Sequence, residues 1–224
     1  MRVYKLNWFE KFVCFLFPIA ILLLFTWVLS GFTPLYAYQF TKNNISQVTG
    51  ISVEDLKVVI AQLAGYVFGT VKELNHEVVI QGATRLIYNE KELLHMVDVR
   101  HIFDAIRVIL AGYGLLLVVC MNRARLKGCM RPLLKRLSQF GFYGTLVIVL
   151  FLGLLVTLDF TKYFIMFHEL FFTNDLWLLD PRTDVLIQML PEVFFREFAI
   201  VILVLTLVFQ ALMYLVTYRY KTRF

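Results

Sequence analysis

Three uncharged stretches, each about as long as a bilayer is thick, constrain this chain more than any other feature. They are Phe12–Phe32 (FVCFLFPIAILLLFTWVLSGF), Phe140–Leu158 (FGFYGTLVIVLFLGLLVTL) and Phe198–Tyr218 (FAIVILVLTLVFQALMYLVTY). An apolar run of about 18 residues or more is the signature of a membrane-spanning helix. A fourth run is uncharged only over Val108–Asn122 and must recruit residues from Ile102 to span, which leaves Asp104 and Arg107 in its first turn. Three apart on one helix face, those two side chains can pair and reach the headgroup region, where charge costs far less than at the bilayer centre. Composition agrees: 60% of the residues are hydrophobic and 17% charged, against about 45–50% and about 25% in soluble domains. The expected fold is therefore an all-α polytopic membrane bundle. It is one domain over residues 1–224, with spans at about 12–32, 102–121, 140–158 and 198–218.

Orientation follows from lysine and arginine, which are retained on the cytoplasmic side. The connector within residues 122–139 carries six basic residues and no acidic one between Asn122 and Leu137. Arg2, Lys5 and Lys11 precede the first span, and YRYKTRF follows the last. Both termini are expected inside. Residues 33–101 and 159–197 are then extracytoplasmic, the latter with seven acidic residues against three basic. The first run is too long for a typical signal-peptide core and reads as a retained helix, with Pro18 kinking it or lying close to its inner end. The net charge of +6 is spread between apolar runs, so nucleic acid is excluded as a partner. Cys14, Cys120 and Cys129 form neither a ligand cluster nor an even-numbered disulfide framework.

The outer segments have their own order. Ser52–Leu74 opens with Ser52 and Asp55 three apart, a capping-box-like pair, and continues at helical spacing, predicting an amphipathic helix on the outer leaflet. The second outer segment predicts a turn at Asp180-Pro181, a short helix capped by Thr183, and a further helix starting at Pro191.

All four histidines, His76, His95, His101 and His168, fall in the outer segments or at that interface. Neutral imidazole exchanges protons readily near neutral pH, which suits acid–base catalysis. His76 and His101 read as interfacial polar residues. His95 is better placed, because Asp98 and Glu92 stand three away on either side in NEKELLHMVDVRH and share its helix face, where a carboxylate can orient the ring. His168 lies in the aromatic stretch MFHELFF, where desolvation favours a neutral base, although an interfacial aromatic belt fits the same pattern. The spacing H-x2-D-x2-H ending at His101 invites a metal, but His101 lies about 120° around the helix from His95, so no metal or other cofactor is expected. His76-Glu77 lacks the second histidine of a zinc-protease helix, since Ile80 stands there, and no G-x-S-x-G elbow occurs. Direct group transfer assisted by acid–base residues is favoured over a covalent Ser or Cys intermediate.

ELLHMVDVR before the second span, and FHELFFTNDLWLLDPRTDVLIQMLPEVFF between the third and fourth, resemble the two signature segments of a small four-span bacterial membrane family. That family is the lipoprotein intramolecular transacylases, Lit, and the resemblance covers essentially the whole chain. It implies a Gram-positive source and a reaction at the outer face of the cell membrane. There, one fatty acyl chain moves from the glyceryl ester of a diacylglyceryl-modified lipoprotein to the α-amino group of its N-terminal cysteine, giving the lyso-form. Motif position carries catalytic roles to His95 and His168, leaving open which is base and which is acid. Glu92 and Asp98 become candidates for orienting His95, and Arg100, Asn174, Trp177 and Asp184 for oxyanion or headgroup contacts. The implied partners are the lipoprotein substrates and membrane lipids, with the acyl chains held in an apolar groove. The rival expectation is a non-enzymatic membrane sensor or assembly module that binds lipid or peptide through its outer loops.

Overall fold

The structure, a computed structural model, describes residues 6–74, 77–80 and 83–219. His76, Arg2, Lys5 and most of the C-terminal basic run lie outside the described residues. Eight helices and one hairpin follow in order: α1 (Trp8–Ser30), α2 (Thr33–Lys42), α3 (Ile45–Thr49), α4 (Val53–Val67), β1 (Glu77–Ile80), β2 (Ala83–Leu86), α5 (Glu90–Leu126), α6 (Met130–Phe171), α7 (Val185–Met189) and α8 (Glu192–Arg219). Helices α1, α5, α6 and α8 are each long and apolar enough to cross a membrane. The expected helical class with four spans holds, and the short antiparallel hairpin, which pairs Glu77 with Leu86, is an addition to it.

The described residues form two compact units. One takes the chain up to Thr26, Ile106–Leu158 and the part from Ala199 onward; the other takes Trp27–Ala105 and Asp159–Phe198.

In the first unit, Val13, Cys14, Phe17, Cys120, Ala124, Leu133 and Leu137 are buried together. Close helix approach depends on glycine here. A Cβ added at Gly144 would come within 2.7 Å of Pro18 Cγ, and one at Gly141 within 2.4 Å of Gln210 Oε1. Small residues at helix contacts are how spans pack where lipid is as apolar as the side chains. Pro18 lies inside continuous α1 with that glycine against its ring. Val108, Leu115, Val147, Leu150, Leu158 and Leu212 are exposed, as a lipid-facing surface requires.

The second unit has a core of Phe40, Ile45, Ile51, Leu56, Val59, Ile60, Leu63, Ile87, Met96, Val185, Met189 and Phe194. Helix α4 begins as its sequence dictates: the Ser52 hydroxyl accepts the Asp55 N–H at 3.0 Å and donates to the Asp55 carboxylate at 2.9 Å. The helix ends at Val67, short of Leu74, and a Gly69 in the left-handed region (φ 77°) turns the chain. Its apolar stripe, Leu56, Val59, Ile60, Leu63 and Tyr66, is buried within the unit. The expectation that this stripe lies on the outer leaflet is thereby corrected: a protein core, not a lipid surface, removes it from water. Helix α7 is a second correction. Its cap position is Asp184, one residue beyond Thr183, because the Asp180-Pro181 turn donates the Thr183 and Asp184 N–H groups back to the Asp180 carbonyl at 3.1 and 2.8 Å.

Helix α6 is broken at Asp159, whose backbone is extended (φ −162°, ψ 86°). The Asp159 carboxylate accepts the Lys162 N–H at 3.1 Å, so it caps a fresh helical segment that runs to Phe171 and carries His168. The start of α5 is capped as firmly. Asn89 Oδ1 accepts the Glu92 N–H at 2.9 Å while Glu92 Oε2 accepts the Asn89 N–H at 2.7 Å, a reciprocal capping box three residues ahead of His95.

Candidate active site

Within the second unit these two capped segments bring His95 and His168 together, with ring centroids 6.3 Å apart and planes tilted 34°. Both histidines lie outside the spans read from sequence. His168 is enclosed by aromatic rings: Phe164 at 4.3 Å, Trp177 stacked at 5.0 Å, Phe167 at 5.4 Å and Phe172 at 5.5 Å. Phe172 also meets His95 edge-on at 5.2 Å and so touches both imidazoles.

The tautomer of His168 follows from one contact. Its Nδ1 lies 2.6 Å from the Phe164 carbonyl oxygen, one turn back on the same helix. A carbonyl can only accept, so Nδ1 carries the proton and Nε2 of the neutral ring holds the lone pair. Burial pushes the imidazole's pKa below its ordinary value, against the opposing pull of the Phe164 carbonyl. His95 is more deeply set, 7% exposed, with its Nδ1 buried and unpartnered among the described residues. Burial first and the neighbouring His168 second lower its pKa to about 4, with Asp98 acting in the opposite direction. At neutral pH both rings are uncharged, so the pair can take up a proton rather than carry one permanently.

This depression has a stability consequence. Between the ordinary value near 6.5 and about 4, the unfolded chain holds a proton on His95 that the folded chain does not. Stability is therefore full above 6.5 and is lost as pH falls through that window, by ~1.4 kcal/mol per unit and ~3 kcal/mol in all. Thermal unfolding in detergent at pH 7 and pH 5 should show a larger drop for wild type than for His95→Phe. Equal drops in the two proteins would contradict the assignment.

Of the six supporting candidates, three stand at the pair. Trp177 stacks on His168. Asn174 Nδ2 donates to Asp98 Oδ2 at 2.8 Å, and its own Oδ1 accepts the Leu176 N–H at 3.0 Å, which fixes the amide's orientation. Asp98 is one turn along α5 from His95, but the described hydrogen bond to its carboxylate comes from Asn174.

The other three serve the frame. Glu92, 1% exposed, accepts the Leu186 N–H through Oε1 at 2.6 Å in addition to the Asn89 N–H, so it ties the start of α5 to α7; burial raises its pKa. Asp184 collects donors from Asn89 Nδ2 (2.9 Å), the Asp180 N–H (2.8 Å) and the Thr183 hydroxyl (2.9 Å). Arg100 lies over the Tyr66 ring, 4.9 Å from its centroid. Residues that sequence reasoning missed are Asn89, Phe164, Phe172 and Lys91, whose ammonium donates to the Leu178 carbonyl at 2.5 Å. Only Asn89 left a signal, its three-residue spacing to Glu92. Among the described residues no three His, Cys, Asp or Glu side chains gather to hold a metal ion.

Cavities open among the described residues of this unit. One of about 430 Å³ is apolar, walled by Trp27, Gly31, Phe32, Ala64, Gly65 and Phe68. Another, about 280 Å³, is lined by Asp98, His101, Ile102, Ala105 and the stretch Phe171–Asn174.

The family model of the lipoprotein intramolecular transacylase Lit matches residues 11–195, most of the chain. The protein belongs to the Lit family. Among solved structures it is similar to the membrane-integral Lit of Bacillus cereus, at 25% identity over 95% of this chain and 93% of that one, with a TM-score of 0.78. Two variants of the Bacillus cereus protein, with arginine or alanine in place of one histidine, share the fold at 24% and 23% identity and TM-scores of 0.73 and 0.68. They cover 95% and 94% of this chain and 89% and 92% of theirs. No curated protein matches the sequence. With four apolar helices and a membrane-integral relative, the chain is a multi-pass membrane protein.

Proposed function

We propose that this chain transfers one fatty acyl chain of a diacylglyceryl-modified lipoprotein from the glyceryl ester to the α-amino group of the N-terminal cysteine, leaving a lyso-form lipoprotein. His168 is the base and His95 its partner in proton transfer. The observation that carries this reading is the committed tautomer of His168, whose Nδ1–H is held by the Phe164 carbonyl so that the Nε2 lone pair is available. A base with a pKa below its ordinary value is in its active form at neutral pH. His95 stands within one bridging group's reach of it and can protonate the departing glyceryl oxygen or steady the oxyanion. Donor ester and acceptor amine belong to one molecule, so much of the catalytic effect lies in holding a near-attack arrangement. The apolar cavity is of a size suited to a small ligand or a length of acyl chain. The excess of lysine and arginine in the central connector supports an extracytoplasmic location for the histidine pair.

Co-expression of the full chain with a diacylated lipoprotein, in a host lacking this activity, tests the reading. Mass spectrometry of the lipoprotein's N-terminal peptide should find an amide-linked acyl chain on the cysteine nitrogen and a glyceryl group with one ester. An unchanged diacyl peptide in the presence of membrane-inserted protein would overturn it.

A further inference from the structure

We infer that Asp98 and the cavity beside the histidine pair form the binding site for the acyl acceptor as its ammonium cation, a role that rests on the proposed transfer to an α-amine. The site is built from two capped segments of the second unit. Helix α5 lines the cavity with Asp98, His101, Ile102 and Ala105, Asp98 standing one turn along from His95 on the same helix face, and the cavity's other wall is Phe171–Asn174. Phe172, which touches both imidazoles, also lines this cavity, so a single side chain stands between the space and the pair.

Asp98 is half-buried there, with an arrangement that suits a cationic ligand better than a structural carboxylate. Its described partner is the neutral Asn174 amide, and no arginine or lysine among the described residues pairs with it. An ionised carboxylate offers about four acceptor positions, of which Asn174 uses one. Holding such a group partly out of water without a counter-charge is costly, and a bound cation removes that cost. Orienting His95 does not account for the residue, because His95 Nδ1 has no partner among the described residues. Asn174 is locked by the Leu176 N–H with its NH₂ group toward Asp98, so the carboxylate is aimed before any ligand arrives. A primary ammonium, with three donors and little bulk, fits a cavity of about 280 Å³.

The step then balances without a further reactant. The ammonium, held by Asp98, gives one proton to Nε2 of His168. The freed lone pair attacks the ester carbonyl carbon, the C–N bond forms and the bond from that carbon to the glyceryl oxygen breaks. A second nitrogen proton reaches the glyceryl oxygen by way of His95, the amide keeps the third, and the proton on His168 returns to solvent.

The test uses the full chain in lipid micelles and three dialkyl-ether analogues of a diacylglyceryl-cysteine peptide, which cannot transfer a chain. One has a free α-amine, one is N-methylated and keeps its charge, and one is N-acetylated and neutral. Wild type should bind the two cationic analogues about 10- to 100-fold more tightly than the acetylated one, as expected for a hydrogen bond between charged groups. Asp98→Asn should bind all three alike, Asp98→Glu should retain part of the preference, and His168→Phe, which keeps the Asp98 carboxylate, should retain most of it. Equal binding of the three analogues by wild type would overturn the proposal without recourse to any variant, as would a preference that survives in Asp98→Asn. Failure of wild type to acylate the ester form of the peptide would instead strike at the proposed transfer itself, whatever the binding ratios.

Discussion

His168→Phe should lower the rate of lyso-lipoprotein formation by about 10²- to 10⁴-fold, the range expected when a general base is removed, while the protein still accumulates in the membrane. Phenylalanine is the informative replacement. The imidazole is packed among Phe164, Phe167, Phe172 and Trp177, and a phenyl ring can take that place while offering no lone pair. Alanine also removes the base but leaves a hole in the cage, so loss of activity in it would mix chemistry with packing. His95→Ala should also abolish most transfer, since the unpartnered Nδ1 and the ring's place beside His168 suit a group that takes up a proton and passes it on. Single-turnover rates read by mass spectrometry of the N-terminal lipopeptide decide the matter. More than about a tenth of the wild-type rate in His168→Phe would remove it from the role of base.

What could be read from sequence was whatever depends on neighbours along the chain. The apolar runs located the four long helices, and Ser52 with Asp55 located the start of α4, because cap and span are set by residues a few positions apart. The two histidines were singled out by their local settings, but nothing local fixes a distance between residues 73 positions apart in sequence. Glu92 shows the limit. Its spacing to His95 places both on one helix face, yet its carboxylate bonds the Leu186 N–H, 94 residues away. Arg100 likewise found an aromatic face on α4 rather than the site. The α4 stripe had the periodicity of a buried face, and periodicity cannot say whether lipid or protein covers it. The hairpin at Glu77–Leu86 is four residues to a strand, too short for alternation to register.

Glu92→Ala should lower the stability of the protein by about 3 kcal/mol or more, the scale of losing a buried, doubly bonded carboxylate together with its volume. Two backbone N–H groups, that of Asn89 and that of the buried Leu186, lose their acceptor. The first belongs to the cap of α5, the second to the start of α7, so one side chain holds both elements in register. Activity should fall with it, because Asn89 also bonds Asp184, and Asp184 anchors the turn that follows Trp177 on the chain. Glu92→Gln keeps the volume and one accepting oxygen but turns an NH₂ toward a backbone donor, and should cost about 1–3 kcal/mol. Thermal unfolding in detergent separates a frame role from a chemical one. A destabilised Glu92→Gln whose remaining activity has the wild-type pH profile fits a carboxylate that positions the two elements. Wild-type melting with activity lost would make Glu92 a participant in proton transfer, acting on His95 as their spacing along the helix first implied.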